Sequence, residues 1–161
     1  MVRHEPGWEA SYLELAALSS AAFWARCHTK ATLRAWCLWP DTIDTAELLV
    51  SELITNSIQA AGCELEPKTY SDLAGVERVS LTLRLLPGRI VIEVFDRNPE
   101  PPVPGDADAD AESGRGLMIV RALSKEWGHF FPPSGGKTVF AVLDVPPSFP
   151  GQQEASDAPL S

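Results

Sequence analysis

The sequence predicts an α+β fold: a two-layer α/β sandwich in which helices pack on one face of a mainly antiparallel sheet. Three observations carry that expectation. A regular apolar stripe marks a long helix over residues 46–61. Two alternating rows around a Pro-Gly turn mark an antiparallel hairpin over residues 79–96. After a proline-rich interruption, a further helix and a second pair of strands follow. The chain has 161 residues, 45% hydrophobic and 22% charged, which suits one globular domain and excludes wholesale disorder.

Taken in order, residues 1–19 read as an N-terminal segment, and the first helix covers about 20–38. There Phe23, Cys27 and Ala31 step by four, and Leu33, Trp36 and Cys37 continue the face. Pro40 stops it, and Asp41 or Asp44 can cap the next helix by accepting from exposed backbone N–H groups. In the second helix Ala46, Leu49, Val50, Leu53, Ile54, Ser57, Ile58 and Ala61 keep the i, i+3, i+4 rule, and Gly62 ends it. A polar loop spans 63–76. Val79, Leu81, Leu83 and Leu85 then alternate with Ser80, Thr82 and Arg84, as in a strand with one buried face. Leu86-Pro87-Gly88-Arg89 turns the chain, and Ile90–Asp96 returns. Four prolines exclude a helix or central strand over 98–113. A third helix from Gly116 to about Lys125 and strands near Trp127–Phe131 and Thr138–Val145 complete a domain over 20–145, and 146–161 read as a mobile tail.

Charge and motif content narrow the function. With 13 Lys+Arg against 22 Asp+Glu, the net charge of −9 argues against nucleic-acid binding and against an anionic membrane surface. No apolar run is long enough to span a membrane. Leu15–Ala25 resembles a signal-peptide core, but Glu5, Glu9 and Glu14 stand where positive charge belongs. Cys27, Cys37 and Cys63 lack CxxC spacing and read as reduced thiols of a cytoplasmic protein. His4, His28 and His129 are too scattered for a zinc site. There is no GxSxG nucleophile elbow. Gly136-Lys137-Thr138 fails as a P-loop, because Phe131 stands where the first glycine must be.

Four sets of residues could carry chemistry. Glu52 and Asn56, four apart on the second helix, project side by side at the rim of its apolar stripe. That pairing suits a base beside a hard-cation ligand, and it equally suits a solvated surface pair. Asp96 shares a strand face with Ile90, Ile92 and Val94, so its carboxylate needs a partner. A ligand amine, Arg97 or backbone donors of the next turn could serve, and Asp-x-Asn is also good turn chemistry. Gly114-Arg115-Gly116 opens the third helix, where bare backbone can approach an anion or simply hinge the chain. Gly135-Gly136 before the last strand fits a hairpin loop or a close approach.

Their order along the chain is more specific than any one of them. AELLVSELITNSIQAAG resembles the N box, VIEVFDRNPEPP the G1 box and ESGRGLMIVRAL the G2 box of the GHKL (Bergerat-fold) ATP-binding superfamily. Lys137-Thr138-Val139-Phe140 resembles the GKTVW-like strand of the anti-sigma-factor serine/threonine kinase branch. The resemblance covers roughly residues 20–145.

That resemblance implies ATP and Mg²⁺ as cofactors. It makes Asn56 the Mg²⁺ ligand, Glu52 the general base, and Asp96 the acceptor for the adenine amino group. Gly114, Arg115 and Gly116 fall at the phosphates, Thr138 near the adenine pocket, and residues 98–113 form the lid. The implied partners are an anti-sigma-factor antagonist, phosphorylated on Ser or Thr, and a sigma factor. Members often pair, so a homodimer is also implied. Two departures stand out: the G1 glycines are replaced by Arg97-Asn98-Pro99, and Ala60 stands where branch members often carry a polar residue. A nucleotide-dependent interaction module without catalysis is the alternative. The expected lid holds Glu100, Asp106, Asp108, Asp110 and Glu112 without a basic residue, so phosphates should repel it when no cation or Arg115 intervenes.

Overall fold

The computed structural model describes residues 9–61, 75–102 and 112–146, with side chains placed from 115 onward in the last stretch. Five strands form one sheet: β1 (Glu9–Ala16), β2 (Arg78–Leu86), β3 (Arg89–Asp96), β4 (Glu126–Phe130) and β5 (Lys137–Asp144). Their order is β1-β2-β3-β5-β4, and every described pairing is antiparallel. Helices α1 (Ala21–Ala35), α2 (Pro40–Ala60) and α3 (Glu112–Leu123) form the second layer. Helix α2 lies centrally, against β2, β3 and β5, while α1 covers β1 and α3 reaches β4. The α+β two-layer expectation therefore holds.

Alternation fixes the sheet. Val79, Leu81 and Leu83 of β2, Ile90, Ile92 and Val94 of β3, and Val139, Ala141 and Leu143 of β5 all point into the helix layer and are buried. Gly88 takes the left-handed φ of +73° that the tight β2–β3 turn requires. Helix α2 fills the space above them with Ala46, Leu49, Val50, Leu53, Ile54 and Ile58. Each methylene so removed from water contributes about 0.8 kcal/mol to the core.

Several expectations change. Residues 9–16, read as part of a separate segment, are an edge strand that pairs with β2 from Glu9 opposite Leu85 to Ala16 opposite Arg78. The stretch resembling a signal core is consequently built into the fold, with Ala17, Ala21 and Ala25 buried. The face expected for α1 is displaced: Phe23 and Cys27 are exposed, and Ala21, Ala25, Thr29 and Leu33 are buried. Small side chains let α1 lie close on α2, and Thr29 satisfies its hydroxyl on the Ala25 carbonyl at 2.8 Å. Pro40 does not merely end α1; it occupies the first turn of α2, where its missing N–H costs nothing. Trp39 takes the N-cap position expected for an aspartate, and Asp41 sits within the first turn. Helix α2 closes at Ala60, while Gly62 and most of the polar loop, the expected lid and the tail lie outside the described residues.

One polar clip holds the sheet edge to the helices. Ser11 Oγ of β1 and His28 Nε2 of α1 are hydrogen-bonded at 2.7 Å. Burial pushes the His28 imidazole below its ordinary value of 6.5, so the folded state favours the neutral ring.

Candidate functional site

Of the expected site residues, Glu52 and Asn56 lie on the C-terminal half of α2, Gly116 meets Glu52 from α3, and Asp96 ends β3 beside the start of β5. On α2, Glu52 and Asn56 are half-buried beside the fully buried Leu53 and Ile54. Their rim position follows from the stripe, because neighbours of a core residue on a helix lie at its edge. Arg26 of α1 donates to Ser51 Oγ at 2.9 Å, tying α1 to the turn that bears Glu52.

Glu52 and Gly116 are brought together. A Cβ built on Gly116 would lie 2.5 Å from Glu52 Oε2, so the glycine is what lets the carboxylate rest against α3. Glycine here serves close approach rather than unusual φ. Helix α3 begins at Glu112, four residues before the expected start. Gly114, Arg115 and Gly116 are therefore inside its first turns and do not precede it. The unpaired N–H groups of a helix belong to its first four residues, which here are 112–115.

At the other end Asp96 is buried, as the alternation of β3 requires. Its partner is neither Arg97, which is exposed, nor a backbone donor alone. Lys137 Nζ donates to Asp96 Oδ1 at 2.9 Å, and the Asn98 N–H donates to the same oxygen at 2.9 Å. The two charged side chains are 1% and 2% exposed and directly opposite each other in the β3–β5 register. Lys137 also donates to the Asn98 carbonyl at 3.1 Å, and Asn98 Nδ2 donates to the Ala60 carbonyl at 2.9 Å. The G1 turn is thus bolted both to β5 and to the last turn of α2.

Gly136 makes this possible. It has φ of +72°, and a Cβ there would collide with the Asp96 carbonyl oxygen and the Phe95 ring. Thr138, expected near the same pocket, lies opposite Phe95 and so belongs to the other face of the sheet. The residue directly opposite Asp96 is Lys137. The signal for it was present in the sequence: Lys137, Val139, Ala141 and Leu143 alternate as Asp96 does with its own row.

Asp96 Oδ2 has no hydrogen-bond partner and is the one such buried side-chain oxygen among the described residues. Asp96 lines a cavity of about 280 Å³ together with Ala60, Ala61, Arg97, Asn98 and Pro99. An orphaned buried acceptor costs about 1–3 kcal/mol unless a donor reaches it, so the site suits a ligand carrying a neutral N–H group. The volume matches a flat heterocycle and falls just under the usual span for whole small-molecule sites, about 300–1,000 Å³. Glu52 and Asn56 lie one turn apart on the helix that ends at this cavity, a donor set of oxygens suited to a hard cation. Among the described residues no cluster of His, Cys, Asp and Glu has the make-up of a protein-only metal site.

The family model described as a histidine kinase-like ATPase domain matches residues 15–153. The chain belongs to this family. No curated protein matches it. Among solved structures, this histidine kinase-like ATPase domain is similar to the crystal structure of the RsbU and RsbW domains of Rv1364c from Mycobacterium tuberculosis. The two share 18% sequence identity with a TM-score of 0.59, over 85% of this chain and 32% of that one. The chain thus spans about a third of that relative's length, and the likeness is one of fold. It places the GHKL resemblance, read from the three boxes, on a matching architecture.

Proposed function

We propose that this histidine kinase-like ATPase domain is a cytoplasmic, ATP-binding regulatory protein. In this reading it acts as an anti-sigma-factor-type serine/threonine kinase that phosphorylates an antagonist protein and binds a sigma factor in a partner-switching pathway. The observation that carries the nucleotide reading is Asp96, which lines a cavity of about 280 Å³ and whose Oδ2 is a buried acceptor without a partner. The order of boxes along the chain and the RsbW domain in the similar structure support the kinase branch.

When bound, Mg²⁺-ATP supplies the phosphoryl group and the cation that offsets its charge. The residues divide the remaining work. Asp96 accepts from the base, the Asn56 side-chain oxygen ligates the cation, and Gly114, Arg115 and Gly116 face the phosphates. Glu52 accepts the proton of the Ser or Thr hydroxyl of the partner. The chemistry rests on positioning and electrostatics, which a preformed cleft provides without covalent intermediates on the protein.

Incubation with γ-labelled ATP and candidate antagonist proteins tests this. Label on the partner should fall by about 100-fold or more in Glu52→Gln, the range for removing a general base, while nucleotide affinity is kept. Equal labelling by the variant would remove Glu52 from its role. The alternative, an interaction module without catalysis, is favoured by the closeness of Glu52 to Gly116, which leaves no room for even a methyl group between the carboxylate and α3. It predicts a partner complex that responds to Mg²⁺-ATP with no label transferred.

A further inference from the structure

Lys137 is the largest of the fully buried side chains, and none of the roles above uses it. It stands at the head of the inward row of β5, across from Asp96. Asp96 lines the cavity and Lys137 does not, so the lysine acts from behind the carboxylate rather than on a ligand. Two donors, Lys137 Nζ and the Asn98 N–H, converge on Oδ1 and fix the plane of the carboxylate. Oδ2 is the oxygen left untied.

The charge matters as much as the geometry. A lone carboxylate at this depth escapes its desolvation cost by taking up a proton, and a carboxylic acid can donate as well as accept. Here Lys137 Nζ stands 2.9 Å from Oδ1 as its ion-pair partner, and a carboxylate so paired offers only acceptors. A purine with a 6-amino group presents a donor to such an atom. A 6-oxo purine presents a second acceptor, leaving its oxygen opposed to the buried Oδ2.

We propose that Lys137 is a positioning residue that sets base specificity: by donating to Oδ1 together with the Asn98 N–H, it leaves Asp96 Oδ2 as the free acceptor that selects a 6-amino over a 6-oxo purine. The proposal rests on the nucleotide reading of the cavity. It assigns a role to a residue that the boxes alone leave without one. Arg78, Arg97 and Glu77 also line the cavity, but the two arginines and the glutamate are exposed, and water screens them.

Calorimetric affinities of the full chain for Mg²⁺-ATP and Mg²⁺-ITP, which share the ribose and triphosphate, provide the test. Wild type should favour ATP by about 10- to 100-fold, the equivalent of one misplaced buried acceptor. Lys137→Met, with its fold checked by circular dichroism, should bring the two affinities to within a few-fold. A Lys137→Met protein that is folded and keeps the wild-type ratio overturns the proposal, since a merely structural lysine would leave the ratio alone. If Lys137→Met does not fold, Asp96→Asn/Lys137→Met removes both buried charges at once. Its ratio should also approach one, and retention of the wild-type ratio overturns the proposal. Equal binding of ATP and ITP by wild type overturns the specificity role while the nucleotide reading survives. Binding of neither overturns that reading and this proposal together.

Discussion

The two carboxylates of the site are held in opposite ways. Asp96 is buried, opposed by an ammonium, hydrogen-bonded to the backbone of its own turn and locked to two other elements. Glu52 is half-buried, on the rim of α2, resting against the bare backbone at Gly116. A group that recognises a fixed atom benefits from being immobile before the ligand arrives. A group that must receive a proton from a second protein needs room to turn. On the roles proposed above, the recognising group would be the fixed one and the reacting group the freer one.

The largest effect should come from breaking the fixed end. Asp96→Ala leaves Lys137 buried without a counter-charge, and should cost about 3–5 kcal/mol in urea unfolding together with loss of nucleotide binding. A variant of near wild-type stability would show that Lys137 finds water, and that the pair is less rigid than its burial indicates. Next comes the glycine that lets β5 begin beside Asp96. Gly136→Ala forces a side chain into left-handed backbone and against a carbonyl oxygen, and should destabilise by about 2–3 kcal/mol in the same assay. Gly116→Ala should sharpen the contrast, because its new methyl meets only the mobile tip of Glu52. Stability should stay within about 1 kcal/mol, helped by the better helix propensity of alanine, while Glu52 is displaced and any phosphoryl transfer falls. If Gly116→Ala proves as costly as Gly136→Ala, then Glu52 is as firmly held as Asp96 and the division fails.

The smallest effect lies away from both carboxylates. His28 has its pKa lowered by burial, so the unfolded chain binds its proton more readily than the folded one. Its contribution is fully present above 6.5 and is lost as pH falls below that value. Thermal melts between pH 7.5 and 5.5 should show a part of the decline that disappears in His28→Gln, with the direction alone expected because the ring is partly open to solvent. These pH values bracket the ordinary imidazole range of about 6.5.

The sequence made α2 and the β2–β3 hairpin legible, because their apolar rows are long and each faces one side. Edge strand β1 was harder to read. It has a neighbour on one side only, Tyr12 faces solvent at 62% exposure, and Leu13 and Leu15 are too few to establish a period against the glutamates around them. Helix α1 misled for a different reason: its largest apolar residues, Phe23 and Trp24, are outside, and small residues make the contact. Pattern and resemblance pointed to Asp96, Glu52 and Gly116, and the structure buries the first and brings the other two together. Lys137 was passed over because a charge in a motif was read along the chain rather than across the sheet. A lysine opposite an aspartate becomes visible only once β3 and β5 are paired in register.

The register of β1 also sets an order of events during synthesis. Glu9 pairs with Leu85, which is 85 − 9 = 76 positions later. At about 5–20 residues per second, the first strand waits roughly 4 to 15 seconds on the ribosome before β2, its neighbour in the sheet, exists. Through that interval Leu13 and Leu15 have no sheet to join. Asp96 then waits for Lys137, a further 41 residues, before its charge is opposed. The growing chain can therefore close its β1–β2 edge before its Asp96–Lys137 pair, and that buried ion pair is among the last contacts it acquires.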